Sequence, residues 1–262
     1  MNNISEKLNG KTALVTGSTS GIGLGVAIEF AKNGMNVMLN GFGDIEYAKS
    51  QVAQFGTKVC YHNADLTKSD DIKNLFDTMK QEFGGLDILV NNAGIQRVYP
   101  VESFPMDRWN AVIATNLTAP FICTQLAIPI LKTRGWGRII NIGSTHGLVA
   151  SINKSAYVAA KHGVIGLTKV TALELARTKI TCNAICPGWT LTPLVQQQIE
   201  ERAKQNCTSF EEEQHALVDE KHPSGNFVTP DQIAGMALFL CTEAADEMRG
   251  SCITMDGGWT AQ

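Results

Sequence analysis

Charge is scarce in this chain and close to balanced: 18% of the 262 residues are charged, and the net charge is −3. No long basic run is present, which argues against nucleic acid as a partner. Residues 1–11, "MNNISEKLNGK", hold no apolar core of the kind a secretory signal carries. No apolar stretch approaches the ~18 residues that cross a bilayer, so no membrane partner is expected and the cytoplasm is the expected location. Cysteine pairing is missing too. The seven cysteines (Cys60, Cys123, Cys182, Cys186, Cys207, Cys241, Cys252) are odd in number, scattered and without a C-x-x-C pair, as in a protein of a reducing compartment. Cys182 and Cys186 lie in "TCNAIC", which reads as a buried strand where cysteine is a small hydrophobe. No metal is expected.

What is present is an alternation. Short apolar runs at 11–17, 36–40, 58–65, 86–94, 137–144, 180–188 and 251–258 are separated by helical patterns. Ile72, Leu75, Phe76 and Met79 mark one such helix over 68–83. Long helices are expected over about 107–133 and 155–178. Strands that are apolar throughout belong in a parallel sheet covered on both faces. The expectation is one α/β domain over 1–262, Rossmann-like and doubly wound, with a seven-stranded parallel sheet. The segment 189–228 breaks the rhythm with two short helical patterns above the strand ends, where a substrate lid would sit. Thr229, Pro230 and Gln232 then form a helix start with a capping box.

"VTGSTSGIG" follows the first strand and opens the first helix. Gly17, Gly21 and Gly23 permit a tight turn and a close backbone approach, and the helix start offers free N–H groups to a pyrophosphate. The spacing matches neither G-x-G-x-x-G nor a Walker A loop. The alternative for such a loop is a structural cap. Tyr157 and Lys161, four apart in "SAYVAAKHG", share one helix face. A cation within ~4–6 Å favours the phenolate, so the phenol is expected to be lowered toward use as a base. "GSTHG" places Ser144 and His146 two apart, but Ile142 stands where a nucleophile elbow needs glycine, which removes a serine-hydrolase reading.

T-G-x-x-x-G-I-G, "NNAG" at 91–94, Ser144, Y-x-x-x-K at 157–161 and "PG" at 187–188 occur in that order along essentially the whole chain. Together they resemble the short-chain dehydrogenase/reductase family. The resemblance implies a nicotinamide cofactor held by Gly17, Thr19, Ser20, Gly21, Ile22, Gly23, Phe42, Asp65, Leu66, Asn92, Ala93, Gly94, Tyr157, Lys161, Pro187, Gly188, Thr190 and Thr192. It implies catalysis by Asn116, Ser144, Tyr157 and Lys161. Tyr157 would move the proton, Ser144 would hold the substrate oxygen, Lys161 would bond the nicotinamide ribose, and Asn116 would hold a relay water. For Asn116 the alternative is an interior amide bonding nearby backbone; for Asp65 it is a helix cap.

"LNGFGD" after the second strand and "GSTSG" in the loop lack a basic residue for a 2′-phosphate, so NAD is expected over NADP. Asn40 replaces the acid that would hold the ribose. Gln96, His146, Lys154, Trp189 and Gln198 lie where the family binds substrate, and one cation among several donors suits a small hydroxy or keto acid. Solvent-exposed positions are the alternative for Lys154 and Gln198. Leu191 stands where the resemblance leads one to expect a basic or polar residue. A 3-oxoacyl-thioester reductase, a polyol dehydrogenase and a non-catalytic NAD-binding sensor or scaffold remain as alternatives. Family members are commonly homotetramers, and the two long helices with the apolar tail "DGGWTAQ" are candidate interfaces.

Overall fold

The computed structural model describes residues 7–261. Seven parallel strands form one sheet in the order β3-β2-β1-β4-β5-β6-β7. They are β1 (Thr12–Val15), β2 (Asn36–Asn40), β3 (Val59–His62), β4 (Ile88–Asn91), β5 (Gly137–Ile142), β6 (Ile180–Pro187) and β7 (Cys252–Met255). Each lies inside its expected run.

Side chains alternate across the pleat, so each strand feeds two cores. Ala13 and Val15 join Val37, Leu39, Ile88 and Val90 on one face, whereas Leu14 joins Met38 and Leu89 on the other. The first face is covered by α1 (Gly21–Lys32), α2 (Ile45–Ala53) and α9 (Pro230–Phe239) through Val26, Phe30, Val52, Ile233 and Ala237. The second is covered by α3 (Ser69–Phe83), α5 (Ala119–Arg134) and the end of α6 (Ser155–Glu174). The periodic residues Ile72, Leu75, Phe76 and Met79 all point into that second core. The capping box of α9 forms as expected: Thr229 accepts from the Gln232 N–H, and the Gln232 side chain accepts from the Thr229 N–H.

Three expectations change. The helix over 107–133 is α4 (Met106–Ile113) and α5 joined by a π-helical turn, Ala114–Thr118. The whole stretch Met106–Arg134 is also long and apolar enough by composition to cross a membrane, with a mean hydropathy of 1.5 in its apolar window. The expectation that no stretch reached that length is therefore corrected: residues 109–131 carry no charge. Here Cys123, Ala127 and Leu131 are used in the core, and Phe121 is left half-exposed. The second long helix stops earlier than expected, at Glu174.

The free thiols Cys182 and Cys186 are fully buried in β6, and burial pushes both up to about 12. Between β6 and α9, helices α7 (Pro193–Asn206) and α8 (Phe210–Asp219) form the excursion expected at 189–228. Its interior is Val195, Ile199 and Leu217 packed with Trp189, Leu191 and Phe227. Leu191 is thus part of an apolar packing unit, which explains why it is not polar.

Candidate active site

The strand order reverses beside β1, between its neighbours β2 and β4, and the crevice at the strand ends there is the expected ligand position in open α/β sheets. A cleft of about 420 Å³ occupies it, lined from the loops after β1 through β6 and by Trp259.

The loop after β1 is built for close approach. A Cβ on Gly23 would lie 2.3 Å from the Gly17 carbonyl oxygen, and one on Gly17 would lie 2.8 Å from the Ala93 Cα. Gly17 also has φ +63°, in the left-handed region. Asn92 holds this turn, donating from Nδ2 to the carbonyls of Thr16 and Gly17, both at 2.9 Å. Ser20 precedes α1 with extended backbone and no side-chain cap, so the first N–H groups of α1 keep their capacity for an anion. Thr19, Ser20, Gly21 and Ile22 line the cleft. These features fit a dinucleotide pyrophosphate.

At the β2 end, Phe42 is exposed on the cleft rim. Asn40 is buried and donates to the carbonyls of His62 and Ala64, at 3.1 and 3.0 Å. It is a crosslink between β2 and the strand end next to it. Asp65 accepts from the Thr67 N–H and hydroxyl, at 3.0 and 2.7 Å, and these bonds hold its carboxyl below the usual range. It closes a turn ahead of α3, whose cap position is Lys68. Leu66, Asn92, Ala93, Gly94, Pro187, Gly188, Thr190 and Thr192 also line the cleft; Gly23 serves from behind it.

At the other end, Ser144, Tyr157 and Lys161 meet. Ser144 accepts from the His146 N–H at 3.1 Å and stands near enough to the Tyr157 hydroxyl to favour its ionised form. Lys161 is buried, with its ammonium 5.7 Å from the Tyr157 ring centroid and donating to the Ile142 carbonyl at 2.7 Å. The electrostatics correct the sequence-based expectation. Burial pushes the phenol up, with nearby Ser144 opposing it, and burial pushes Lys161 down to about 8. Desolvation disfavours the charged form of each group, and it is the largest influence on both.

Asn116 sits in the π-helical turn, buried, and is bound twice to Ile95. It accepts from the Ile95 N–H and donates to the Ile95 carbonyl, both at 2.9 Å. It therefore clamps the loop after β4, which is the backbone-bonding alternative, and its neighbour Thr115 lines the cleft instead. π-Turns of this kind recur at functional sites.

Gln96, His146, Lys154 and Trp189 all line the cleft. Lys154 is partly buried, 4.8 Å over the Trp189 ring, and burial lowers it while Glu220 raises it. His146 is buried and pushed down to about 3, first by burial and then by Lys154 and Lys221; it is neutral at physiological pH, with Nε2 2.9 Å from the Ser151 hydroxyl. Gln96 Nε2 and Trp189 Nε1 are buried without a protein partner. Gln198 is half-buried on α7 and is not among the lining residues. Trp259 escaped the sequence reading, which gave "DGGWTAQ" to an interface. It packs edge-on to His146 at 5.2 Å and stacks with Trp189 at 6.4 Å. No local signal marked it, because β7 alone carries it to the cleft.

Residues 11–203 match the short chain dehydrogenase family. The chain belongs to that family. Similar short-chain dehydrogenases include the D-beta-hydroxybutyrate dehydrogenase of Cupriavidus necator, 58% identical across 97% of this chain and 100% of that one. The D-beta-hydroxybutyrate dehydrogenase of Rhizobium meliloti is 48% identical, covering 96% and 99%. Among solved structures, an actinorhodin polyketide ketoreductase with NADPH superposes with TM-score 0.91 at 33% identity, covering 96% of this chain and 98% of that one. The L-sorbose reductase of Gluconobacter frateurii, complexed with NADPH and L-sorbose, gives 0.93 at 29% identity, covering 97% and 98%. This short-chain dehydrogenase is therefore an oxidoreductase with a nicotinamide-cofactor fold.

Proposed function

We propose that the chain interconverts (R)-3-hydroxybutyrate and acetoacetate with NAD. The observation that carries this is the pairing of Lys154 with the two orphaned donors Gln96 Nε2 and Trp189 Nε1 on the same cleft as Ser144 and Tyr157. Buried donors without partners cost about 1–3 kcal/mol each, and a carboxylate would satisfy them together with the Lys154 charge. Neutral His146 offers a further hydrogen bond. Gln198, three residues along α7 from the lining residue Val195, would join when 189–228 closes as a lid. The names of the two relatives support the same substrate.

A bound nicotinamide dinucleotide would supply the hydride chemistry at C3. Gly17, Gly21, Gly23 and the start of α1 would hold its pyrophosphate, Asp65 and Phe42 its adenosine, and Lys161 its nicotinamide ribose. In oxidation the C3–H bond breaks, C3–O becomes a carbonyl, and the hydroxyl proton passes to the Tyr157 oxygen in the fraction of molecules where that oxygen is a phenolate. Ser144 holds the reacting oxygen against the phenol, and Asn116 keeps the loop after β4 in place. With its phenol raised, Tyr157 is protonated near neutral pH and is suited to giving a proton to the ketone.

NAD over NADP is supported by charge. Among the described residues lining the cleft, Lys154, Lys161 and His146 carry its basic groups, all beside Tyr157, and none lies among Thr19, Ser20, Asn40, Gly41, Phe42 and Asp65. The seven free thiols suit a reducing cytoplasm. Half-exposed Phe121 and Val170 and exposed Leu173 on α5 and α6 support a homotetramer.

The test is NADH formation from (R)-3-hydroxybutyrate, compared with NADPH formation. Lys154→Ala should raise KM for the acid far more than for its methyl ester. Equal effects on acid and ester remove the carboxylate clamp, and tighter binding of NADP than NAD removes the cofactor assignment.

A further inference from the structure

His222 is buried to 1% exposure and plays no part in the proton or carboxylate chemistry above. It follows α8, where its N–H donates to the Val218 carbonyl at 2.7 Å. Its ring occupies the junction of three segments. Nε2 accepts from the Trp189 backbone N–H at 2.8 Å, and Nδ1 contacts the Asn226 carbonyl at 2.7 Å. A carbonyl can only accept and an N–H can only donate, so both bonds together require the neutral ring with its proton on Nδ1.

The fit around the ring is close. A Cβ on Gly188 would lie 2.3 Å from Nε2, and one on Gly257 would lie 3.0 Å from the ring. The Trp259 ring lies 6.2 Å away by centroid. His222 thus joins the downstream end of the α7–α8 excursion to the loop after β6 and to the turn after β7. The residue it grips, Trp189, is the one that carries an orphaned indole N–H, stacks on Trp259 and lies under Lys154.

We infer that His222 is a positioning residue for substrate: by accepting the Trp189 N–H it fixes the Trp189–Trp259 wall that faces the substrate's carbon chain and carboxylate. The inference rests on reading that end of the cleft as the hydroxy-acid site. No hydrogen bond joins His222 to the reacting groups Ser144, Tyr157 and Lys161, so its effect falls on substrate binding and leaves the chemical step alone.

His222→Gln can present an amide oxygen at the reach of Nε2, whereas His222→Asn stops short of it. His222→Asn should raise KM for (R)-3-hydroxybutyrate about tenfold, the loss expected for one hydrogen bond. Its kcat and its KM for NAD should stay within about threefold of the parent. Trp189 emission, isolated by subtracting the matching Trp189→Phe protein, should shift to the red. His222→Gln should restore both KM and emission. His222→Phe, which keeps a ring beside Trp259 and removes the acceptor, supplies the same comparison if the Asn protein does not fold. Identical behaviour of the Gln and Asn proteins overturns the inference, as does a change spread equally over kcat and the NAD KM, or an unchanged KM with unchanged emission. If the parent protein fails to turn over the hydroxy acid, the substrate assignment falls, while the emission comparison, which needs no turnover, still judges His222.

Discussion

Lys161 donates its ammonium to the Ile142 carbonyl at 2.7 Å while standing 5.7 Å from the centre of the Tyr157 ring. The strand end, rather than the phenol, is its hydrogen-bond anchor. Both groups are desolvated, so the phenol is raised and the lysine lowered to about 8.

Replacing Tyr157 by Phe removes the hydroxyl and leaves the ring in its packing with Val112, Ala156 and Ala160. We expect kcat to fall by roughly 10²–10⁴, the usual worth of a positioned acid or base. NAD affinity, measured by fluorescence titration, should change little. A protein retaining more than about a tenth of the parent kcat would show that another group carries the proton.

The raised phenol sets the sign of the pH dependence. Oxidation needs Tyr157 to accept a proton, so kcat/KM for the hydroxy acid should climb from about pH 6 to about pH 10. Reduction needs the protonated phenol, which a raised phenol keeps through that range, so Tyr157 should limit it only above about pH 10. Lys161 loses its charge above about pH 8, which weakens its hydrogen bonding in both directions. An oxidation rate that is flat or falls with pH would rule out Tyr157 as the proton acceptor.

His146 should make the fold acid-sensitive. Its imidazole titrates at about 3 in the folded chain against 6.5 as its ordinary value. Between those limits the unfolded chain binds the extra proton, so stability is full above pH 6.5 and is lost as pH falls toward 3. At ~1.4 kcal/mol per pH unit the loss is of order 4–5 kcal/mol at most. Urea unfolding of His146→Gln across that range should show a shallower decline than the parent, and parallel curves would exclude His146 as the source.

Gly23→Ala tests the cofactor cradle. The new methyl would meet the Gly17 carbonyl at 2.3 Å, and backbone is the part least able to yield. NAD affinity should fall more than about tenfold, as read by calorimetric titration. Unchanged affinity would mean that the turn after β1 does not carry the pyrophosphate.

Much of the molecule was legible from residue order. The seven strands lie within the predicted runs because buried parallel strands are continuous apolar segments, and α9 starts at its predicted capping box because that motif is local. Helix ends were harder to place: the π-turn at Ala114–Thr118 interrupts a stretch that looks uniformly helical. Gln198 shows the same limit, since the packing of α7 on α8 decides which face meets the cleft. Asn116 was placed at the site by resemblance, but only the fold reveals that both ends of its amide are taken by Ile95.

Local chemistry, in short, was encoded in residues near one another in the chain: glycines that admit a tight turn, and a phenol and an amine one helical turn apart. The proton affinities of that pair, the arrival of Trp259 beside His146, and the grip of His222 on Trp189 depended on folding. Solvent exclusion and contacts between distant segments come into being only when the sheet assembles, and no short window of sequence contains them.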